Sequence, residues 1–337
     1  MGIPSYFSHI VKKYKHIVES MESQDIQYDN LYMDSNSIIY DMLHSMESMQ
    51  SDDDFEIKLI NAVISKIEDY IKIIKPSNTI FIAFDGVAPL AKMNQQRTRR
   101  YKSHFMEECT FLNKCQVKWS SSQITPGTKF MTLLSKKMNE YFKDNKEKKY
   151  NVKKVIISAA DEKGEGEHKL YEYMRKNPDI NHNTAVYGLD ADLIMLGMSL
   201  NKNDIFIFRE QINRYGTQSS LVDINKLKCE INDKLTWNDD EDKKCVYTKD
   251  KGITDFVFMC FLVGNDFLPN IPSLAILDSG IDSMIDVYRN VGKEYGHLTK
   301  TKRVIGNMLN LDSLDFLLIC SFTKVSCVYC VANVLQR

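Results

Sequence analysis

The sequence lacks any uninterrupted apolar stretch long enough to cross a membrane. Its nearest approach, residues 316–335, is broken by Lys324 and by several polar residues. The first six residues carry no secretory signal, and position six lacks the Ser or Thr that N-myristoylation requires. We therefore expect no membrane association.

The sequence also lacks regularly spaced cysteines and an excess of charge of either sign. The eight cysteines form no framework, which favours reduced thiols in the cytoplasm, with the nucleus as the alternative. The 44 Lys and Arg residues nearly cancel the 45 Asp and Glu residues, for a net charge of −1. This balance does not exclude nucleic-acid binding, because an acidic site and a basic site in one domain cancel in the sum.

Short apolar runs alternate with helical patterns along most of the chain. Strands are predicted near residues 29–34, 79–84, 154–159, 184–189 and 204–208. The clearest helix is predicted from Phe55 to Ile74, with apolar residues three and four apart and Pro76 beyond its end. The alternation predicts an α/β fold with a central, mostly parallel sheet flanked by helices. The polar stretch 201–251 is predicted to be a surface insertion, either a hairpin or a loop.

Acidic residues recur where apolar runs end. They are Asp34, Asp85, Glu165, Glu167, Asp190, Asp192 and Asp266. Ligands gather at the carboxyl ends of parallel strands, so we expect these side chains to converge there. Converging carboxylates repel one another unless cations are bound, and oxygen ligands suit Mg²⁺ or Mn²⁺. The pattern predicts a metal-dependent phosphodiester hydrolase.

A basic segment follows Asp85. Between Lys92 and Lys102 there are five basic residues and no acidic ones. On a helix, one face would carry Lys92, Gln96, Arg99 and Arg100. That face suits a terminal phosphate, since Arg offers a planar fork of donors and Lys a point charge. The alternative interpretation is a basic helix face exposed only to solvent.

Together these motifs resemble the Xrn family of 5′→3′ exoribonucleases, within the wider group of flap-endonuclease and PIN-like nucleases. The matching stretches are Met1–Pro4, Asp29–Ile39, Asp85–Arg100, Gly164–Lys169, Tyr187–Gly197 and Val263–Asn270. They occur in the family's order and cover residues 1 to about 290.

The resemblance implies a role for each group of residues. The seven carboxylates would be the catalytic, metal-binding residues of a hydrolysis that uses two Mg²⁺ ions. The four residues of the basic face would bind a 5′-monophosphate, and Tyr40 would stack on the first base, where the family often has His. The implied partner is single-stranded RNA with a 5′-monophosphate, released as nucleoside 5′-monophosphates in RNA degradation and mRNA decay.

The resemblance also implies a domain organisation. A nuclease domain is predicted at residues 1–290 and a helical or divergent tail at 291–337. The family's second conserved segment is expected to be absent, and a protein partner could replace it. Two other functions stay open: a structure-specific 5′ DNA nuclease, and a non-catalytic RNA-binding protein derived from an exoribonuclease.

Overall fold

A computed structural model describes most of the chain. The described residues are 3, 5–21, 26–46, 53–111, 119–143, 146–178, 182–200, 204–213, 216–237, 245–265, 269, 271, 274, 276 and 279–299. The chain divides into two compact units. The sheet unit comprises Glu19–Leu189 and Lys202–Val222, and the helical unit comprises Met1–Val18, Asp190–Asn201 and Asp223–Arg337.

A seven-stranded sheet forms the centre of the sheet unit. The strands are β1 (Val18–Ser20), β2 (Asn30–Asp34), β3 (Thr79–Ala83), β4 (Lys154–Ser158), β5 (Thr184–Tyr187), β6 (Ile205–Asn213) and β7 (Gly216–Asp223). Their order across the sheet is β1-β7-β6-β5-β2-β3-β4. The pairs β6–β5, β5–β2, β2–β3 and β3–β4 are parallel. The prediction of an α/β fold with a mostly parallel sheet is thus confirmed.

Helices follow most of these strands. In chain order they are α1 (Tyr6–Lys13), α2 (Asn36–Ser45), α3 (Phe55–Ile74), α4 (Leu90–Phe111), α5 (Lys129–Lys143), α6 (Lys146–Tyr150), α7 (Gly166–Lys176), α8 (Asp192–Ser199), α9 (Ile224–Leu235), α10 (Lys249–Leu262) and α11 (Gly280–Tyr295). Among the described residues, no helix has the length and apolar character that a membrane span requires.

Both faces of the sheet are covered. Neighbouring residues of a strand point to opposite faces, so each strand contributes to two layers. Tyr32 and Phe81 make edge-on ring contacts with Tyr173 of α7, at centroid distances of 6.0 and 5.2 Å. Their neighbours Leu31 and Ile82 belong instead to the large apolar cluster shared with α3 and α5. The sheet therefore lies between α7 on one side and α3 and α5 on the other.

The helix predicted from Phe55 to Ile74 has those bounds in the structure. Its apolar stripe is buried, except that Ile57, at the edge of the stripe, is 52% exposed. The helix ends because Lys75 adopts a left-handed conformation with φ of 51° and donates its N–H to Ile71 at 2.8 Å. The following Pro76 cannot continue the helix, as the sequence predicted.

The segment 201–251 contains more than a surface hairpin or loop. Strand β6 pairs with β5, and its Phe206, Ile207 and Phe208 are buried. Helix α9 buries Leu227 and Ile231. The polar run at 238–244, which suggested an insertion, lies outside the described residues. The strand predicted near 204–208 is thus part of the sheet, and helix α9 is an element that the prediction of a surface insertion missed.

Glu68 of α3 links three helices of the sheet unit. Its carboxylate accepts hydrogen bonds at 2.6 Å from Tyr141 of α5 and from Tyr150 of α6, and it pairs with Lys149. Burial raises the pKa of Glu68, but these hydrogen bonds outweigh that effect and lower the pKa to about 2. A carboxylate with a lowered pKa in the folded state stabilises the protein above its unfolded-state pKa.

We therefore predict that Glu68→Gln lowers the free energy of unfolding by about 1–3 kcal/mol at pH 7. The difference from the parent chain should shrink as the pH falls from about 4.5 towards 2, where the carboxylate of the parent becomes protonated. Urea unfolding at several pH values measures this. The control is Glu140→Gln on α5, whose half-exposed ion pair with Lys137 should matter little. A constant difference across this pH range would contradict the assignment.

Candidate active site

Two aspartates lie at the carboxyl ends of the central strands. Asp34 is the last residue of β2, and Asp85 follows the end of β3 by two residues. The strands pair in parallel, with Asp34 opposite Ala83. Strand β2 has β3 on one side and β5 on the other, so the chain changes direction across the sheet here. Such a switch point is where open α/β sheets place their ligands.

Neutral donors hold the Asp85 carboxylate in place. The side-chain amide of Asn36 donates to Asp85 Oδ2 at 2.8 Å, and the Asp85 N–H donates back to Asn36 Oδ1 at 3.1 Å. The Gly166 N–H, at the start of α7, donates to Asp85 Oδ1 at 2.7 Å. The positive end of the α7 dipole favours a negative charge at this position. Asp85 therefore keeps one orientation, between α2 and α7.

Gly166 also permits the close approach of Asp34. A Cβ atom built on Gly166 would lie 2.3 Å from Asp34 Oδ1 and 3.5 Å from the Ala83 carbonyl oxygen. Any residue other than glycine would displace the aspartate or the start of α7. The backbone of Gly166 is thus in contact with both aspartates.

Glu165, Glu167 and His168 complete the acidic group around Gly166. One ligand atom from each lies within 4.8 Å of the others, with His168 Nε2 at 3.8 Å from an oxygen of each glutamate. The glutamates are 4% and 3% exposed. Burial lowers the pKa of His168, although Glu165 opposes this effect. Buried carboxylate oxygens beside a neutral imidazole form a donor set that fits a divalent cation.

The basic face predicted on residues 92–100 lies on α4. Lys92 Nζ is 2.7 Å from Glu165 Oε1, and Gln96 Nε2 donates to the same oxygen at 3.4 Å. Arg99 is exposed and Arg100 is partly buried. The acidic group and the basic face therefore share a border at Glu165.

Tyr40 of α2 lies within electrostatic reach of this border. Burial raises the pKa of Tyr40, Arg99 and Arg100 oppose the rise, and Asp85 adds to it. The side chain is partly exposed and packs against the apolar cluster of the sheet unit. Its ring is thus available near both arginines of the basic face.

The remaining three carboxylates lie in the helical unit or outside the described residues. Asp190 and Asp192 belong to the helical unit, where Asp190 is exposed and Asp192 begins α8 as a buried residue. Asp266 lies outside the described residues. Within the sheet unit, the structure brings together Asp34, Asp85, Glu165 and Glu167, and the roles of the other three stay predictions.

Sequence reasoning assigned no role to Asn36, Gly166 or Lys169, although all three lie in the motifs that carry the family resemblance. Asn36 donates a hydrogen bond to Asp85, and the backbone of Gly166 contacts two aspartates. Lys169 donates hydrogen bonds to two backbone carbonyls near the site. A signal was present in the alternation of glycine and glutamate from 164 to 167, since glycine often marks a close backbone approach.

Carboxylates gathered at strand ends and at a helix start, beside a basic helix, are typical of nucleases of α/β fold. The family model for the XRN 5′-3′ exonuclease N-terminus matches residues 1–211, and that for the Xrn1 helical domain matches residues 246–321. The chain belongs to the XRN 5′-3′ exonuclease family. The second match runs across residue 290, and the domain boundary predicted there stays a prediction.

Curated relatives carry the same family name. The chain is 33% identical to 5′-3′ exoribonuclease 1 of Saccharomyces cerevisiae, over 86% of this chain and 20% of the relative. It is 32% identical to 5′-3′ exoribonuclease 1 of Schizosaccharomyces pombe, over 93% and 25%. It is 29% identical to 5′-3′ exoribonuclease 2 of Gallus gallus, over 89% and 40%. The chain thus spans between a fifth and two fifths of the length of these relatives.

Two solved structures are similar at low sequence identity. The catalytic core of Rad2 in complex with DNA substrate is 12% identical, with a TM-score of 0.45, over 97% of this chain and 77% of that one. The T5 D15 protein co-crystallised with metal ions is 10% identical, with a TM-score of 0.40, over 88% of each chain.

We predict that Gly166→Ala lowers the rate of RNA hydrolysis by about 100-fold or more, because the added methyl group would displace Asp34. The fold should survive, with a loss of about 1–3 kcal/mol in the free energy of unfolding. Hydrolysis rates and urea unfolding on the same preparations measure the two effects. Glu172→Ala, at an exposed position of the same helix, is the control. Full activity in Gly166→Ala would show that the position of Asp34 does not matter.

Proposed function

We propose that this chain is the catalytic region of a 5′→3′ exoribonuclease. It would hydrolyse single-stranded RNA that carries a 5′-monophosphate and release nucleoside 5′-monophosphates. One observation carries the proposal: the basic face of α4 meets the acidic group at Glu165. The basic face would bind the terminal phosphate, and the acidic group next to it would bind the metal ions. The bond to be cut would then lie beside the metal ions.

The acidic residues would hold two Mg²⁺ ions, with Mn²⁺ as the alternative. The ligands proposed are Asp34, Asp85, Glu165, Glu167, Asp190, Asp192 and Asp266. Bound ions of this kind supply an activated water and stabilise the leaving oxygen. The chain itself would orient these ligands. Asn36 and the Gly166 N–H hold the Asp85 carboxylate by hydrogen bonds, and Gly166 leaves room for the Asp34 carboxylate because it has no side chain.

The basic face would bind the 5′-phosphate through Lys92, Gln96, Arg99 and Arg100. Lys92 and Gln96 reach the acidic group directly, so a phosphate bound to them would lie next to it. The arginines would add charge-assisted hydrogen bonds to the phosphate oxygens. Tyr40, near both arginines, would stack on the first base. The same contacts would thus bind the 5′-monophosphate and orient the end of the RNA.

The first test compares matched RNAs with 5′-monophosphate, 5′-triphosphate or 5′-hydroxyl ends, and a flapped DNA, in the presence of Mg²⁺. We expect mononucleotides from the monophosphate RNA at a rate about tenfold or more above the other substrates. Asp192→Ala should remove this activity, and chelation of Mg²⁺ should do the same. Preferred cleavage of the flapped DNA would favour a DNA nuclease. Salt-sensitive RNA binding without hydrolysis would favour a binding protein.

The phosphate-binding role has its own prediction. Arg99→Ala should raise KM for the monophosphate RNA about tenfold, because an exposed guanidinium contributes to binding more than to turnover. The same change should leave hydrolysis of the 5′-hydroxyl RNA nearly unaffected. Arg97→Ala is the control, since Arg97 is an exposed neighbour on another face of α4. Equal effects of both substitutions on both substrates would indicate general electrostatic attraction instead.

The cellular setting is also proposed from the family. The chain would act in RNA degradation, including mRNA decay, in the cytoplasm, with the nucleus as the alternative. A protein partner that completes the catalytic region stays a prediction.

A further inference from the structure

Lys169 is a buried cation beneath the acidic group. It lies one helical turn after Glu165 on α7 and is 9% exposed. Its ammonium group donates to the Phe84 carbonyl and to the Ala159 carbonyl, each at 2.8 Å. The catalytic scheme proposed above does not use this residue.

The two carbonyls belong to the loops that carry the carboxylates. Phe84 immediately precedes Asp85, and Ala159 begins the loop that leads from β4 to Glu165. The loops also contact each other directly, because the Gly86 N–H donates to the Gly164 carbonyl at 2.9 Å. Lys169 therefore ties together the carboxyl ends of β3 and β4. Together with the Gly166 N–H, this contact fixes where Asp85 lies relative to the start of α7.

Charge explains why a lysine can be buried here. Burial lowers the pKa of Lys169, whereas Glu162, Asp85, Asp161 and Asp34 oppose this effect. An ammonium group buried without opposing charge would be strongly destabilising. Two of these four carboxylates, Asp85 and Asp34, belong to the acidic site, and the Coulomb interaction by which they stabilise Lys169 also stabilises them.

We propose that Lys169 is a positioning residue that acts as a permanent internal counter-ion of the acidic site. Through Phe84 and Ala159 it would hold the loops of Asp85 and Glu165 in register. Through its charge it would weaken the site's attraction for divalent cations. The inference rests on the proposed function, because it assumes that the acidic group binds metal ions.

The two roles have opposite consequences when the charge is removed. Without a neighbouring positive charge, a divalent cation is held more tightly, whereas misaligned carboxylates hydrolyse RNA more slowly. Simple misfolding would weaken both metal binding and turnover. Tighter metal binding together with slower turnover is thus a signature that general damage does not produce.

The experiment measures Mn²⁺ binding to the full chain by calorimetry, without RNA, and then hydrolysis of 5′-monophosphate RNA at saturating Mn²⁺. For Lys169→Met we expect the Kd for Mn²⁺ to fall about threefold or more and kcat to fall about tenfold, with KM for RNA nearly unchanged. Lys169→Gln, neutral but able to donate a hydrogen bond, should show the tighter Mn²⁺ binding and a smaller loss of kcat. It also serves as the second neutral variant if Lys169→Met does not fold.

Two controls complete the design. Lys176→Met removes an exposed lysine from the last turn of the same helix and should change neither constant. Lys169→Arg keeps the charge and should keep the Kd for Mn²⁺ within about twofold of the parent value. Unchanged or weaker Mn²⁺ binding in the folded neutral variants would overturn the counter-ion role. Absence of Mn²⁺ binding in the parent chain would instead overturn the metal assignment itself, and the inference with it.

Discussion

The repulsion among carboxylates that converge at one edge of the sheet is the constraint on which the rest of the sheet unit depends. Asp34, Asp85, Glu165 and Glu167 come together around one backbone position, Gly166. Like charges in a poorly solvated space separate or take up protons unless donors and cations hold them. The chain supplies an asparagine amide, a helix N-terminus and two lysines, Lys92 and Lys169. These groups hold the carboxylate oxygens close together.

The parallel sheet makes that convergence achievable. Parallel strands bring successive carboxyl ends to one edge, and helices on both faces keep the strands fixed. Helix α7 has two roles, since it covers the sheet and directs its N-terminus at Asp85. Packing and chemistry are thereby coupled: a change that shifts α7 on the sheet also changes the distance between the aspartates and the glutamates.

The helical unit contains a buried carboxylate with several hydrogen-bond donors around it. Asp255 of α10 is fully buried and accepts hydrogen bonds from the Tyr288 hydroxyl, the backbone and hydroxyl of Thr299 and the backbone of Leu298. His297 Nδ1 lies 2.9 Å from the same carboxylate, so Asp255 joins α10, α11 and the segment that follows them. The glutamates beside Gly166 differ, because a lysine and a glutamine contact Glu165 and because both glutamates lie close to other potential metal ligands.

Sequence alone determined the α/β class, five of the described strands and the long helix from Phe55 to Ile74, and it predicted that seven acids converge. These follow from local periodicity and from residue types at strand ends, which neighbouring residues encode. It predicted the strand at 204–208 but interpreted the rest of 201–251 as a surface insertion, because the average polarity hid the buried residues of β7 and α9. Only the tertiary structure decided that Gly166 contacts two aspartates and that Lys169 lies beneath them. Those contacts join residues distant in sequence, and no local pattern specifies which side chains will meet.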